Sequence, residues 1–129
     1  MTAVDVATRF VEALAGPDVD ALEEMIAPDA RFWINIGPAD LSRDERFAVL
    51  EVERAHLRTL AFDDVRVRST ADGFVIQLTT SATTTDGIDL RIPVCLVVEV
   101  DDGGSIVRVD EYADSAPAGP LLRAVMGGS

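Results

Sequence analysis

Lysine is absent from this chain of 129 residues, and cysteine, histidine, tryptophan and tyrosine occur once each. All eleven basic residues are arginine, set against 23 acidic ones, for a formal net charge of -12. A surface so short of positive charge argues against nucleic acid as a partner and disfavours anionic membranes, because phosphate binding needs a basic face. An all-arginine basic set with abundant Ala, Val and Asp has the composition of a GC-rich bacterial genome. Cys95 has no second cysteine to pair with, and within Val94-Cys95-Leu96-Val97-Val98 it reads as a small packing residue rather than a nucleophile. No Cys/His cluster has metal-ligand spacing, and Asp101-Asp102-Gly103-Gly104 reads as a hairpin turn rather than a calcium loop. There is no Gly-rich phosphate loop and no Gly-x-Ser-x-Gly elbow. No apolar run approaches a membrane span, and the amino terminus lacks the basic-then-apolar layout of a signal peptide, so a soluble, cytoplasmic protein is expected.

What is present is a core. With 48% hydrophobic residues, the chain is expected to form one domain over 1–129. Val4, Ala7, Val11 and Leu14 fall at helical spacing and predict a helix over 2–15, started by Thr2 and ended by Gly16-Pro17. Asp18 is expected to cap a second helix over 18–27, stopping before Pro28. The β-branched and aromatic run 31–36 reads as a strand closed by Gly37-Pro38. Ser42-Arg43-Asp44-Glu45 carries a capping box, and Phe47, Leu50, Ala55 and Leu57 support a third helix to about residue 60. Strands follow over 65–69, 74–84, 88–100 and 105–113, separated by turn signals. Pro117 and Pro120 break the chain before one apolar helical turn over 121–126, so that 116–129 forms a tail able to cover a pocket. Helices first and a strand meander second imply an α+β domain with helices packed on one face of a curved sheet.

Glu111 is the residue that stands out. Strand alternation puts it beside Val107, Val109 and Ala113, while Arg108, Asp110, Tyr112 and Asp114 share the other side. A carboxylate on an apolar face must be paired, hydrogen-bonded or shifted in pKa, which makes it a candidate general acid or base. Parity also groups Arg31, Trp33 and Asn35 on the first strand; Val75, Gln77, Thr79 and Ser81 on the next long one; and Ile92, Val94 and Leu96 on the one after. It does not say which face is concave. The lone histidine, His56, lies on the third helix at its surface or core edge and is a further candidate pocket contact.

The element order, ending in Asp110-Glu111-Tyr112-Ala113-Asp114, resembles the nuclear transport factor 2-like superfamily, and within it the SnoaL-like branch of polyketide cyclases, ketosteroid isomerases and limonene epoxide hydrolases. The resemblance implies a cone-shaped roll with a mostly antiparallel sheet enclosing a pocket. It also implies a homodimer through the outer sheet face, a small hydrophobic oxygenated molecule as ligand, and chemistry that needs no metal or organic cofactor. On the pattern of the epoxide hydrolase group, Trp33, Asn35 and Glu111 stand at the water-holding positions, but Gln77 and Thr79 replace that group's Arg-x-Asp pair. The expected site therefore has Glu111 as general acid/base, Asn35 and Trp33 as its companions, and Gln77, Thr79, Ile92, Val94 and His56 as substrate contacts. A non-catalytic binding or accessory protein of the same fold, and an epoxide hydrolase with an altered site, are the rival expectations. Glu111 paired with Arg31 or another inward arginine is the structural alternative.

Overall fold

The computed structural model describes residues 2–16, 19–36 and 39–125. The elements are α1 (Ala3–Ala15), α2 (Asp20–Met25), β1 (Ile26–Ile34), β2 (Ala39–Ser42), α3 (Arg43–Ala55), β3 (Leu57–Thr70), β4 (Gly73–Thr84), β5 (Asp89–Val100), β6 (Ile106–Ala113) and α4 (Ser115–Val125). Two helices start where their polar residues direct. Thr2 and Asp5 at α1, and Ser42 and Glu45 at α3, each form a reciprocal capping box that satisfies amides left free by the first helical turn.

The six strands form one mixed, curved and unclosed sheet in the order β2-β1-β6-β5-β4-β3, antiparallel except where β1 runs alongside β6. The α+β arrangement expected from the element order is thus present. The inner face is mostly apolar and packs against α1 and α2 through Phe10, Leu22, Phe74, Ile76, Val98 and Ile106, all essentially without solvent contact. Side chains of this size stabilise the fold by about 1.5–3 kcal/mol each when fully buried.

Several boundaries differ from the sequence reading. The second helix ends at Met25, and Ile26, Ala27 and Pro28 join β1; Pro28 falls in the irregular stretch between the Ile26 and Arg31 pairings, where no ladder hydrogen bond is required of it. The third helix stops at Ala55, because from Leu57 the chain pairs with β4, Leu57 opposite Thr84 and Leu60 opposite Ala82. Long-range pairing here overrides helical periodicity. The short strand β2, paired to β1, has no signal in the sequence pattern. Pro117 lies in the first turn of α4, where its missing N–H has no helical partner to lose, and Pro120 sits inside the helix, which runs eleven residues instead of one turn. Pro17, Asp18, Gly37, Pro38 and Met126, cited above for turns, a cap and the last helical turn, lie outside the described residues.

A bulge alters the reading of β6. Glu99 pairs with Arg108 but Val100 pairs with Ile106, so Val107 is the extra residue, and Ile106 takes the buried place expected for Val107.

Candidate active site

Register places Glu111 in one row across the sheet. Ile34 of β1 lies level with it in the parallel pair, Leu96 faces it from β5, and Ile76 and Val67 continue the row on β4 and β3. Backbone pairing thereby sets a carboxylate between two aliphatic side chains, Ile34 and Leu96, at one end of an apolar row. Glu111 borders a partly enclosed cavity of about 90 Å³. Leu60, Phe62, Leu90, Ile92, Val94 and Leu96 form its apolar strand walls, α3 contributes Arg46, Leu50, Glu53 and Arg54, and Leu121 of α4 covers it.

Arg46 is the partner of Glu111. Its Nη1 donates to Glu53 Oε1 at 3.1 Å, and its Nη2 lies 3.7 Å from Glu111 Oε1, close enough for an ion pair but beyond a hydrogen bond. The side chains of Arg46, Glu53 and Glu111 are 14%, 25% and 22% exposed, so this chain of charges is mostly withdrawn from water. Burial pushes the Glu111 carboxyl above its ordinary pKa; the Arg46 charge opposes this and the Glu53 charge adds to it. Burial disfavours the charged form of Arg46, but the two carboxylates more than offset it and its pKa rises.

Of the other candidates, Ile92 and Val94 line the cavity with Glu111. Trp33, Gln77 and Thr79 face the other way. Trp33 pairs with Asp110, and its ring packs on Tyr112 at 5.2 Å between centroids. Gln77 lies opposite Cys95, which lies opposite Tyr112, and Thr79 lies opposite Pro93, all on the outer face. The reason is the parallel β1/β6 register, which brings the even-numbered residues of β1 to the Glu111 side and leaves Trp33 with the odd-numbered set. Asn35 is committed to the backbone: its Nδ2 donates to the Ala113 carbonyl at 3.2 Å, and its Oδ1 accepts the Ala113 N–H at 2.9 Å. It ties the end of β1 to the end of β6 and is not among the cavity walls. His56 is the C-cap of α3, its Nδ1 2.8 Å from the Val52 carbonyl, and is not among the cavity walls. Arg31 pairs with Asp40 on the surface instead of with Glu111.

Arg46 and Glu53 were not among the residues singled out from the sequence. A signal was there: Arg46, Leu50 and Glu53 fall at i, i+4 and i+7, so both charges lie in the apolar stripe of the helix. A wider recess of about 770 Å³ opens on the outer face, lined by Asp64, Gln77, Thr79, Cys95, Tyr112 and Asp114 among others. It is more open to water, whereas the smaller, more sheltered space is bordered by a perturbed carboxyl, so the candidate site is the latter. Among the described residues no group of three or more His, Cys, Asp or Glu is arranged to hold a metal ion, and no helix is long and apolar enough to cross a membrane.

Solved structures share this architecture. PrhC from Penicillium brasilianum superposes with a TM-score of 0.82 at 14% identity, covering 98% of this chain and 89% of that one. A proposed SnoaL-like polyketide cyclase from Shewanella denitrificans gives 0.80 at 14% identity, with 95% and 97% covered. IdmH from Streptomyces antibioticus, a proposed polyketide cyclase, gives 0.78 at 20% identity, with 95% and 99% covered. These likenesses establish the fold, the nuclear transport factor 2 and ketosteroid isomerase-like one. No curated protein matches the sequence. The SnoaL-like domain model matches residues 7–109, most of the chain, and the protein therefore belongs to the SnoaL-like domain family.

Proposed function

We propose that this protein is a small proton-transfer enzyme of cyclase or isomerase type, acting in the cytoplasm without an organic cofactor on an apolar, oxygenated molecule of polyketide, terpenoid or steroid-like character. Glu111 is its general acid/base. One observation carries the reading: a carboxyl in a row of aliphatic side chains borders a partly enclosed cavity, with its arginine at 3.7 Å, beyond hydrogen-bond distance. Burial holds the proton affinity of that carboxyl above the ordinary carboxylate range, nearer to where a base works at neutral pH. Family membership and the cyclase descriptions of IdmH and the Shewanella protein support the substrate class. Homodimerisation through the outer face belongs to the same proposal and is supported by the exposure of Val65, Val97 and Tyr112 there.

Deuterium exchange tests it. Wild type incubated in D2O with a panel of apolar 1,3-diketones and aromatic polyketide-like ketones is expected to accelerate exchange at the acidic carbon, and Glu111→Gln to abolish this with its circular dichroism unchanged. A fully active Gln variant would overturn the assignment. The Arg46 pairing favours a second reading, a non-catalytic binding protein with a structural Glu111; saturable binding of the panel with no exchange at any pH would select it.

A further inference from the structure

Four charged side chains border the cavity: Arg46, Glu53 and Arg54 from α3, and Glu111 from β6. The walls from β3, β4, β5 and α4, and Leu14 from α1, carry no charge. Arg54 is occupied, its Nη2 donating to the Ala13 and Leu14 carbonyls at 3.4 and 2.8 Å, at the end of α1. Arg46 is held on one side only. Its Nη1 is fixed by Glu53 at 3.1 Å, while Nη2 stands 3.7 Å from Glu111 with no hydrogen bond to it.

We propose that Glu53 is a positioning residue: by holding Nη1 of Arg46 it presents Nη2 to the cavity as the donor for an oxygen that becomes negative as the substrate loses a proton. The inference rests on Glu111 as the base and adds what receives the charge. When Glu111 takes a proton from the carbon beside a carbonyl, the C–H pair becomes a C=C bond and the carbonyl π pair moves onto oxygen, producing an enolate. A guanidinium N–H aimed at that oxygen stabilises the charge as it forms, in a site mostly withdrawn from water where such contacts are strong. The proton on Glu111 then returns to a different atom, completing an isomerisation, or the enolate carbon attacks a carbonyl and the proton goes to the resulting alkoxide. Without Glu53, Arg46 swings fully onto Glu111 and both groups are lost to the substrate. The ligand class that follows is a neutral ketone or phenol with an apolar body.

A monocyclic phenol, p-nitrophenol, supplies an oxyanion without requiring turnover, and its visible absorbance reports ionisation. Wild type and Glu111→Gln are expected to bind it as the phenolate, and Arg46→Met to lose this binding. Glu53→Leu, apolar and so compatible with the cavity wall, should weaken it on the order of tenfold, the size expected for a lost charged hydrogen bond. Glu53→Gln, which keeps an acceptor for Nη1, should recover most of the loss. Nitrogen-15 spectra of the arginine side chains should show the Arg46 guanidinium signals moving in Glu53→Leu as it closes onto Glu111, and staying near their wild-type positions in Glu53→Gln. Phenolate binding in Glu53→Leu equal to wild type, or p-nitrophenol bound by wild type only in its neutral form or not at all, overturns the proposal. Arg46-dependent phenolate binding without any proton exchange would instead count against Glu111 as the base and leave Glu53 in its role.

Discussion

Arg46 and Glu111 stand 3.7 Å apart, near enough to share charge and too far to share a hydrogen. The salt bridge therefore lowers the cost of burying Glu111 without saturating its oxygens. Such a pair differs from a closed structural ion pair, in which both partners satisfy each other and neither is left for a ligand.

That geometry has a consequence for stability against pH. The folded state holds the Glu111 proton above the ordinary carboxylate range, so between the unfolded and folded pKa values the folded chain binds more protons, and stability falls as pH rises through that window. Glu111→Gln cannot titrate. Its Tm relative to wild type should therefore climb between about pH 4, the ordinary carboxylate value, and neutrality. A difference that stays flat or shrinks as pH rises would show that Glu111 is not held protonated by burial.

Asn35 is a tie between strands. Its side-chain amide makes two hydrogen bonds to the Ala113 backbone, at 2.9 and 3.2 Å, and Asn35→Ala leaves both backbone groups unpaired at the end of β6. The expected loss is about 1–3 kcal/mol in urea unfolding, with deuterium exchange per folded molecule retained. Loss of exchange at unchanged stability would restore Asn35 to the chemistry.

Leu22 anchors α2 with no exposed surface. Leu22→Ala should cost about 2–5 kcal/mol, because the packed neighbours from α1 and β1 relax only partly into the space left behind. Chemical denaturation measures this directly; a cost under about 1 kcal/mol would mean that α2 is loosely held.

Leu121 covers the cavity from α4, and the partly enclosed space of about 90 Å³ is well below the roughly 300 Å³ at which drug-sized pockets begin. Leu121→Ala should enlarge it and tighten binding of the neutral fluorophore N-phenyl-naphthylamine. Unchanged or weaker binding would place the probe elsewhere, with the outer recess the first place to look.

Much of the fold was legible because it rests on local signals. The cap at Thr2, the capping box at Ser42, the four strands after residue 62 and the helices-then-strands order all follow from side-chain periodicity and turn chemistry. The stretch from Leu57 to Phe62 was not, since it carries a helical pattern and becomes strand only by pairing with β4. The site divided along the same line. Glu111 could be singled out, because a carboxylate among apolar neighbours on one strand is a local anomaly.

Its companions could not. Trp33 and Gln77 share the polar parity of their own strands, yet the parallel register of β1 against β6 and the antiparallel register of β4 against β5 carry both to the far face. Arg46 and Glu53, more than fifty residues away in the chain, arrive through the packing of α3 over the sheet. By itself the sequence determined the elements that carry local signals, among them α1, the start of α3 and the long strands from β4 on, and that Glu111 must be accommodated, since these depend on neighbours along the chain. Only the tertiary structure decided which face is concave and which arginine meets Glu111, because interstrand register and helix packing are set by contacts between distant segments.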